Sequence, residues 1–333
     1  MIYDCFPFFN ELDMLDIRLH TLNDVVGKFV LVEACFTHTG KPKGFVFEEN
    51  KSRFAEFADK IIHIKLTEKP DPPSCGTPDE RKWFLENFQR NAIVQGLSAA
   101  KPTDIIMVSD CDEIPDPKVV AKLPRLHGIT HFTPRAYNYY LNVRNYTSPF
   151  YGNGTTALSF TDFINPKTYR VFPYQCFVAK CNNPGPSATR VRYLDATRRI
   201  RKGWHFSYLG GAEAVRQKNL SIADGNDYGM AVMPIHEIEA RICNGEDVFK
   251  RGDRFFVEPI SKNLPQYVID NREKFERLLI PLSREQFRST RVRRLKELLR
   301  GFKIYFKRDY LVPTLGPIRR KLKRILSMAD DVS

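Results

Sequence analysis

Asp104–Ser109 reads as four consecutive apolar residues, Ile105 to Val108, bounded by a polar residue at each end. A run this short and continuous is a strand covered on both faces, and such strands belong to parallel sheets whose crossovers place helices on either side. The neighbouring chain agrees. Ile2–Phe8, Phe29–Phe36 and Ile61–Leu66 are further apolar runs, and helical stretches separate them. Leu12, Leu15, Leu19 and Leu22 share one face behind a cap at Asn10, Lys69–Pro78 is a loop, and Pro78 opens a helix reaching Ala99. Strands alternating with helices predict an α/β fold on a mainly parallel central sheet. Beyond the central strand, His131–Leu141, Tyr169–Phe177 and Arg201–Leu209 are expected strands, the last leading through Gly210 and Gly211 into a helix over Ala212–Leu220.

Asp110, Cys111, Asp112 and Glu113 follow the central strand directly and are closed by Ile114 and Pro115. Ligands of open parallel sheets bind outside the C-terminal strand ends, so the fold delivers these carboxylates to a crevice. Two carboxylates at i and i+2 can share a hard divalent cation, Mg²⁺ or Mn²⁺, which takes oxygen ligands and bridges phosphates. A solvated acidic turn capping the next helix is the alternative; the position after a buried strand favours the ligand site. Three further segments reach the same crevice: Phe9-Asn10-Glu11 off the first strand, Glu33 at the end of the second, and Arg90-Asn91 on the helix before the acidic strand. For a nucleoside diphosphate ligand, Glu11 or Glu33 would accept hydrogen bonds from base or ribose and Arg90 would meet the diphosphate. Glu11 as a surface helix residue, and Arg90 paired with Glu86 one turn earlier, are the competing structural roles.

Charge separates the chain into two parts. Of a net +13 over 333 residues, the stretch from Arg284 to Arg324 holds fifteen basic residues against three acids, a surplus of +12. The remainder is nearly neutral and carries no recognised nucleic-acid motif, so no nucleic-acid partner is expected of it. From Leu264 helix periodicity dominates, interrupted at Pro281, Pro313 and Pro317. The expected organisation is therefore a catalytic domain over residues 1–260 and a helical basic extension over 261–333. Val292, Leu295, Leu299, Phe302 and Phe306 form an apolar stripe among arginines and lysines, and Ile318, Leu322 and Ile325 repeat it. Such basic amphipathic helices suit the interface of an anionic membrane over 284–326, each cation contributing about 1 kcal/mol. Ordinary C-terminal helices with solvated basic faces are the alternative. No apolar run approaches the roughly 20 residues of a bilayer span, and Met1-Ile2-Tyr3-Asp4 lacks the layout of a signal peptide. The expectation is a cytoplasmic protein, peripheral on the cytosolic face of a membrane. Seven cysteines with no C-x-x-C spacing exclude a disulfide framework and a structural zinc site.

The ordered blocks Asp4–Leu12, Val32-Glu33 with Thr39–Lys43, Arg90-Asn91, Val108–Pro115 and Gly203–Ser207 resemble glycosyltransferase family 17, over about residues 1–255. The resemblance implies a GT-A-like fold, a UDP-sugar donor, UDP-N-acetylglucosamine in the well-known members, a divalent metal, and inversion at the anomeric carbon. It also implies a glycan acceptor, whether oligosaccharide or lipid-linked. Asp110 and Asp112 match the family's D-x-D positions and so would hold metal and donor diphosphate. Inverting transfer needs a carboxylate base across the cavity. Glu213, just past Gly203–Ser207, resembles the Glu following that block, with Asp195 and Asp224 as fallbacks. His205 is a candidate third metal ligand or diphosphate contact, and Lys218 a diphosphate contact. Trp204, Tyr137, Tyr139 and Tyr140 offer aromatic faces on which an acceptor sugar could stack. Two other classes fit parts of the pattern. A metal-dependent nucleotidyltransferase or phosphohydrolase would use the same acids, and a nucleic-acid-binding protein would use the tail.

Overall fold

Four parallel strands begin the fold. β1 (Ile2–Phe8) is flanked by β2 (Lys28–Ala34), which pairs in turn with β3 (Ile61–Leu66), and on its other side by β4 (Ile105–Val108). The computed structural model describes residues 1–71, 83–152, 154–165, 196–222, 233–261 and 263–281. Helix α1 (Leu12–Leu22) crosses between β1 and β2, and α2 (Phe84–Asn91), continued by a tighter turn over Ala92–Leu97, precedes β4. Side-chain alternation sends Phe6, Phe8, Phe29, Leu31, Ile105 and Met107 to one face with Leu15, Leu19 and Leu22. Cys5, Val30, Val32, Ile106 and Val108 go to the other face with Ile93 and Leu97. Both faces are covered, which is why these strands read as unbroken apolar runs.

After β4 come β5 (Glu113–Ile114), β6 (Thr130–Phe132), β7 (Arg135–Asn138), β8 (Val143–Asn145), β9 (Thr156–Ser159), β10 (Arg198–Ile200), β11 (Trp204–Ser207) and β12 (Phe255–Val257). The first sheet has the order β10-β6-β9-β4-β1-β2-β3, and only β9 runs against its neighbours. The mixed α/β architecture with a largely parallel central sheet is therefore as expected. A second, five-stranded sheet, β12-β8-β7-β11-β5, was not anticipated. The run expected as one strand over His131–Leu141 is divided between the two sheets. Pro134 lies at the break; it has no N–H to continue a ladder, and the chain changes sheet there.

One helix boundary also differs. Helix α1 starts at Leu12 with Glu11, not Asn10, at the cap position, because the Glu11 carboxylate turns back to accept from the N–H groups of Phe9 and Asn10, each at 3.2 Å. Leu264, Val268, Phe275 and Leu278 are buried in the same core as Phe6 and Leu15, so packing continues past residue 260 to the end of the described chain. Helix α3 (Gly211–Ser221) forms where the Gly-Gly turn predicted it, and α4 (Ile235–Cys243) packs beside it. The strand at Tyr169–Phe177, the basic helices from residue 284, Asp195 and Asp224 lie outside the described residues.

Gly203 joins the two parts of the site. Its φ is +101°, and a Cβ there would sit 2.4 Å from the carbonyl oxygen of Ile114 and 2.9 Å from Cα of Pro115. Gly203→Ala should therefore destabilise the protein by about 2 kcal/mol or more, read as a lower midpoint in urea unfolding.

Candidate active site

The chain steps outward from β1 to β2 and β3, then returns to place β4 on the opposite side of β1. That reversal is a topological switch point, where the strand ends leave a crevice. A cavity of about 690 Å³ opens there, lined by Phe9 and Glu11 after β1, by Asp110 to Asp112 after β4, and by residues of the second sheet.

The acidic turn is held from below by a residue that sequence reasoning passed over. Arg18 of α1 is fully buried, with its guanidinium 4.5 Å from the centroid of the Phe6 ring. It donates to both carboxylate oxygens of buried Asp4, from Nε at 2.7 Å and Nη2 at 2.6 Å, and to Ser109 Oγ at 2.6 Å. Its Nη1 donates to the backbone carbonyls of Asp110, Cys111 and Glu113 at 2.9, 3.1 and 2.9 Å. Burial works against the Arg18 charge, but Asp4 more than offsets it and the group is held above its ordinary value. The turn's own N–H and carboxylate complete the cradle: Asp110 N–H donates to Glu113 Oε2 at 2.9 Å, and the Phe206 N–H donates to the Asp112 carbonyl at 3.0 Å.

Each aspartate of the turn meets a cation. Arg90 of α2 donates from Nη1 to Asp110 Oδ1 at 2.7 Å and from Nη2 to Glu86 Oε1 at 2.9 Å, so the pairing with Glu86 is present and a second carboxylate shares the guanidinium. Lys218 of α3 donates to Asp112 Oδ2 at 2.9 Å, and His205 Nε2 lies 3.8 Å from Asp112 Oδ1. Burial opposes the Lys218 charge; Asp112 and then Glu11 outweigh it, so the amine stays protonated. Cys111 lies between the aspartates, but burial first, and Glu11 next, push its thiol well above the usual range, which removes it as a thiolate nucleophile.

The other wall is one face of the second sheet. Phe255 pairs with Asn145, the Tyr137–Arg144 pairing sets Asn145 opposite Ala136, Ala136 pairs with His205, and His205 pairs with Glu113. Asn145, Ala136 and His205 line the cavity, as do Asn138 and Ser207 two residues along their strands. The intervening Tyr137, Trp204 and Phe206 therefore face the apolar core. This corrects the expected aromatic acceptor platform. Tyr137 is buried with its hydroxyl 3.4 Å from Glu258, Trp204 donates from Nε1 to the Asn263 carbonyl at 2.6 Å, and Tyr139 accepts at its hydroxyl from the Val248 N–H at 3.2 Å. None of the three lines the cavity; Phe150, Tyr151 and Tyr208 do.

Other expected residues divide in the same way. Glu11, Arg90, Asp110, Asp112, His205 and Lys218 are brought together around the cavity. Glu33 is not: it is fully buried and accepts from Lys43 Nζ at 3.3 Å, from the Phe47 N–H at 3.1 Å and contacts His63 Nε2 at 3.2 Å, closing the short helix Val46–Glu49. Asn91 lies one residue past Arg90, off the cavity lining. Glu213 is exposed on the first turn of α3, accepts from Gln217 Nε2 at 3.4 Å on its own helix, and also stands off the lining. A helix turn separates it from Lys218, which does reach in.

A divalent cation fits these donors in one way. Among the described residues no group of three or more His, Cys, Asp and Glu forms a complete cage. An ion held by Asp110 and Asp112 would take its remaining ligands from phosphate and water. The charge balance favours such an ion. Glu11, Glu86, Asp110, Asp112 and Asp253 line the cavity against Arg90, Lys218 and Arg251, and a diphosphate entering an already negative space needs added positive charge.

Residues 1–151 match glycosyltransferase family 17. The resemblance read from the sequence is thus borne out over that part, which contains the acidic turn; the Gly203–Ser207 block lies beyond it. Relatives named beta-1,4-mannosyl-glycoprotein 4-beta-N-acetylglucosaminyltransferase, from Homo sapiens and Rattus norvegicus, are each 32% identical over 114 residues, or 32% of this chain. The match spans 20% of the length of these curated relatives. Among solved structures, the glucosyl-3-phosphoglycerate synthase of M. tuberculosis aligns over 49% of this chain and 58% of its own, at 14% identity and a TM-score of 0.26.

Arg18→Met leaves the Asp4 carboxylate buried without its partner and should cost about 3–5 kcal/mol, measured by denaturant unfolding. Asp4→Asn should be destabilising in the same direction.

Proposed function

We propose that the chain is a glycosyltransferase of GT-A-like architecture that moves a hexose from a nucleoside diphosphate donor to a carbohydrate hydroxyl. The observation that carries this reading is the meeting of Asp110 and Asp112 with Arg90 and Lys218 at the switch point of a largely parallel sheet. The family match over residues 1–151 supports it. The donor the resemblance points to is UDP-N-acetylglucosamine, and the name of the relatives agrees on the sugar. A divalent ion held by Asp110 and Asp112 would supply positive charge opposite the phosphates.

The protein's own groups then have distinct tasks. Lys218 and Arg90 are fixed, protonated donors that meet diphosphate oxygens and stabilise the charge that grows there as the glycosidic bond to phosphate breaks. Glu11, on the same side of the cavity, accepts from its own turn and offers its remaining lone pairs to a ribose hydroxyl. Arg18 makes no contact with substrate in this arrangement; it keeps the acidic turn in register. Inversion follows when the acceptor attacks from the face opposite the diphosphate.

Asp112→Asn should lower kcat/KM by 100-fold or more while its thermal unfolding stays close to that of the parent chain, with UDP release from UDP-N-acetylglucosamine and an oligosaccharide acceptor as the assay. Pyrophosphate or phosphate release from a nucleoside triphosphate would instead favour the nucleotidyltransferase or phosphohydrolase class.

Among the described residues no helix is long and apolar enough to cross a membrane. The basic stretch 284–326 lies outside the described residues, and its proposed contact with anionic lipid rests on its composition. A chain ending at Pro281 should lose co-sedimentation with phosphatidylserine-containing vesicles that the full chain retains; equal binding of both would remove the idea.

A further inference from the structure

Resting on the glycosyl-transfer reading, we propose that Asp253 is the catalytic base that deprotonates the acceptor hydroxyl, and that the wall around it is the acceptor subsite. Asp253 lies two residues before β12 and lines the cavity. Its carboxylate accepts from Asn145 Nδ2 at 2.8 Å on one oxygen and from Ser148 Oγ at 3.1 Å on the other. Asn145 is itself fixed, because its Oδ1 accepts from the Ser148 N–H at 2.8 Å. Two neutral donors thus set the plane of the carboxylate, and an ionised carboxylate has about four acceptor positions, so it keeps capacity for a substrate hydroxyl.

The other carboxylates of the cavity are committed elsewhere. Asp110 and Asp112 are in direct contact with Arg90 and Lys218, and Glu86 is in contact with Arg90. Glu11 accepts from the backbone of its own turn on the donor side. Glu213, the base expected from the sequence, stands off the lining.

Sheet order places Asp253 on the required side. β12 and β5 are opposite edges of the second sheet, so Asp253 and the acidic turn before β5 approach the cavity from its two ends. From Asn145 on β8 to His205 on β11 is two strand spacings, roughly 10 Å, and that interval is filled by the small side chain of Ala136. Asp253 is hydrogen-bonded to Asn145 at one end of that interval and Asp112 lies 3.8 Å from His205 at the other, so the space over Ala136 lies between the two carboxylates, as the base and the leaving group of an inverting transfer require. Tyr151, stacked on His205 with ring centroids 3.9 Å apart, and Phe150 supply apolar faces beside that space.

The segment carrying Asp253 is pinned at several points. Tyr146 N–H donates to the Arg254 carbonyl at 2.9 Å, Arg254 N–H donates to Thr147 Oγ1 at 3.1 Å, and the Phe255 N–H donates to the Gly245 carbonyl at 2.9 Å. Arg251 forks onto Asp247 at 2.9 and 3.0 Å one turn earlier. A base has to be held to within a fraction of an ångström, and this loop is built to do that. In the step itself the acceptor O–H proton passes to Asp253 and the acceptor oxygen bonds to the anomeric carbon of the donor. The bond from that carbon to the diphosphate oxygen breaks, with its electron pair leaving on the nucleoside diphosphate. Water then takes the proton from Asp253.

The test compares Asp253→Asn and Ser148→Ala with the full parent chain, measuring UDP affinity by calorimetry and kcat by UDP release. Asp253→Asn should lower kcat by 100-fold or more and leave the UDP Kd within about threefold. Ser148→Ala, which removes one orienting bond and keeps the carboxylate, should lower kcat about fivefold with the same UDP Kd. An Asp253→Asn chain that keeps kcat within about threefold, or that loses UDP affinity as much as turnover, overturns the assignment while the glycosyl-transfer reading stands. A parent chain that neither binds UDP nor turns over any nucleotide sugar overturns both.

Discussion

The buried Arg18–Asp4 pair is the constraint on which the site depends. A guanidinium with no exposure must have every N–H satisfied and its charge matched, and Arg18 meets that condition by joining β1, the end of β4 and the acidic turn. Three backbone carbonyls of one short turn converge on a single nitrogen, and that convergence presents Asp110 and Asp112 upward into the crevice. Apolar packing alone would place β1 beside β4. It would not specify the path of the four residues that follow.

Above that turn the cavity is electrostatically divided. Around the acidic turn, acids alternate with fixed cations, so positive groups stand within a net negative lining. On the other side the second sheet contributes neutral polar residues, Asn138, Asn145, Ser148 and Ser207, and the loop before β12 adds one acid and one cation, Asp253 and Arg251. Such a surface suits a neutral polyol better than a second phosphate group. Gly203 makes the two sides continuous, since its positive φ and missing side chain let β11 approach the β5 backbone and bring His205 next to Asp112.

The strands and the acidic turn were legible in the sequence because both obey local rules. Ile105–Val108 is apolar throughout since both of its faces are covered, and the acids follow because strand ends at a switch point face ligand. The second sheet was not legible. Its strands are two to four residues long; β11 was expected within Arg201–Leu209, but the others are too short for a period to declare itself, and the switch between sheets at Pro134 was hidden inside one apparently continuous run. Missing that sheet also hid which face of it lines the cavity: Tyr137 and Trp204 were expected there beside His205, whereas Ala136 and His205 line it and the two aromatics face the core. Arg18 and Asp253 gave no local signal. An arginine on an amphipathic helix reads as surface, and an aspartate in a Gly-Asp-Arg loop reads as a turn; only tertiary contacts reveal that one is buried and the other lines a cavity. Glu33 failed for the opposite reason. It ends a parallel strand, as a ligand residue should, but the neighbouring Lys43, His63 and Phe47 N–H consume its carboxylate.

The central claim is that the crevice at the ends of β1 and β4 binds a sugar nucleotide diphosphate, and a crystal structure of the full chain soaked with UDP-N-acetylglucosamine and Mn²⁺ tests it most directly. The account predicts diphosphate density bounded by Arg90, Asp110, Asp112 and Lys218, with the sugar directed toward the wall that carries Asp253. Density for the nucleotide anywhere else on the protein, with that crevice left to solvent, would contradict it.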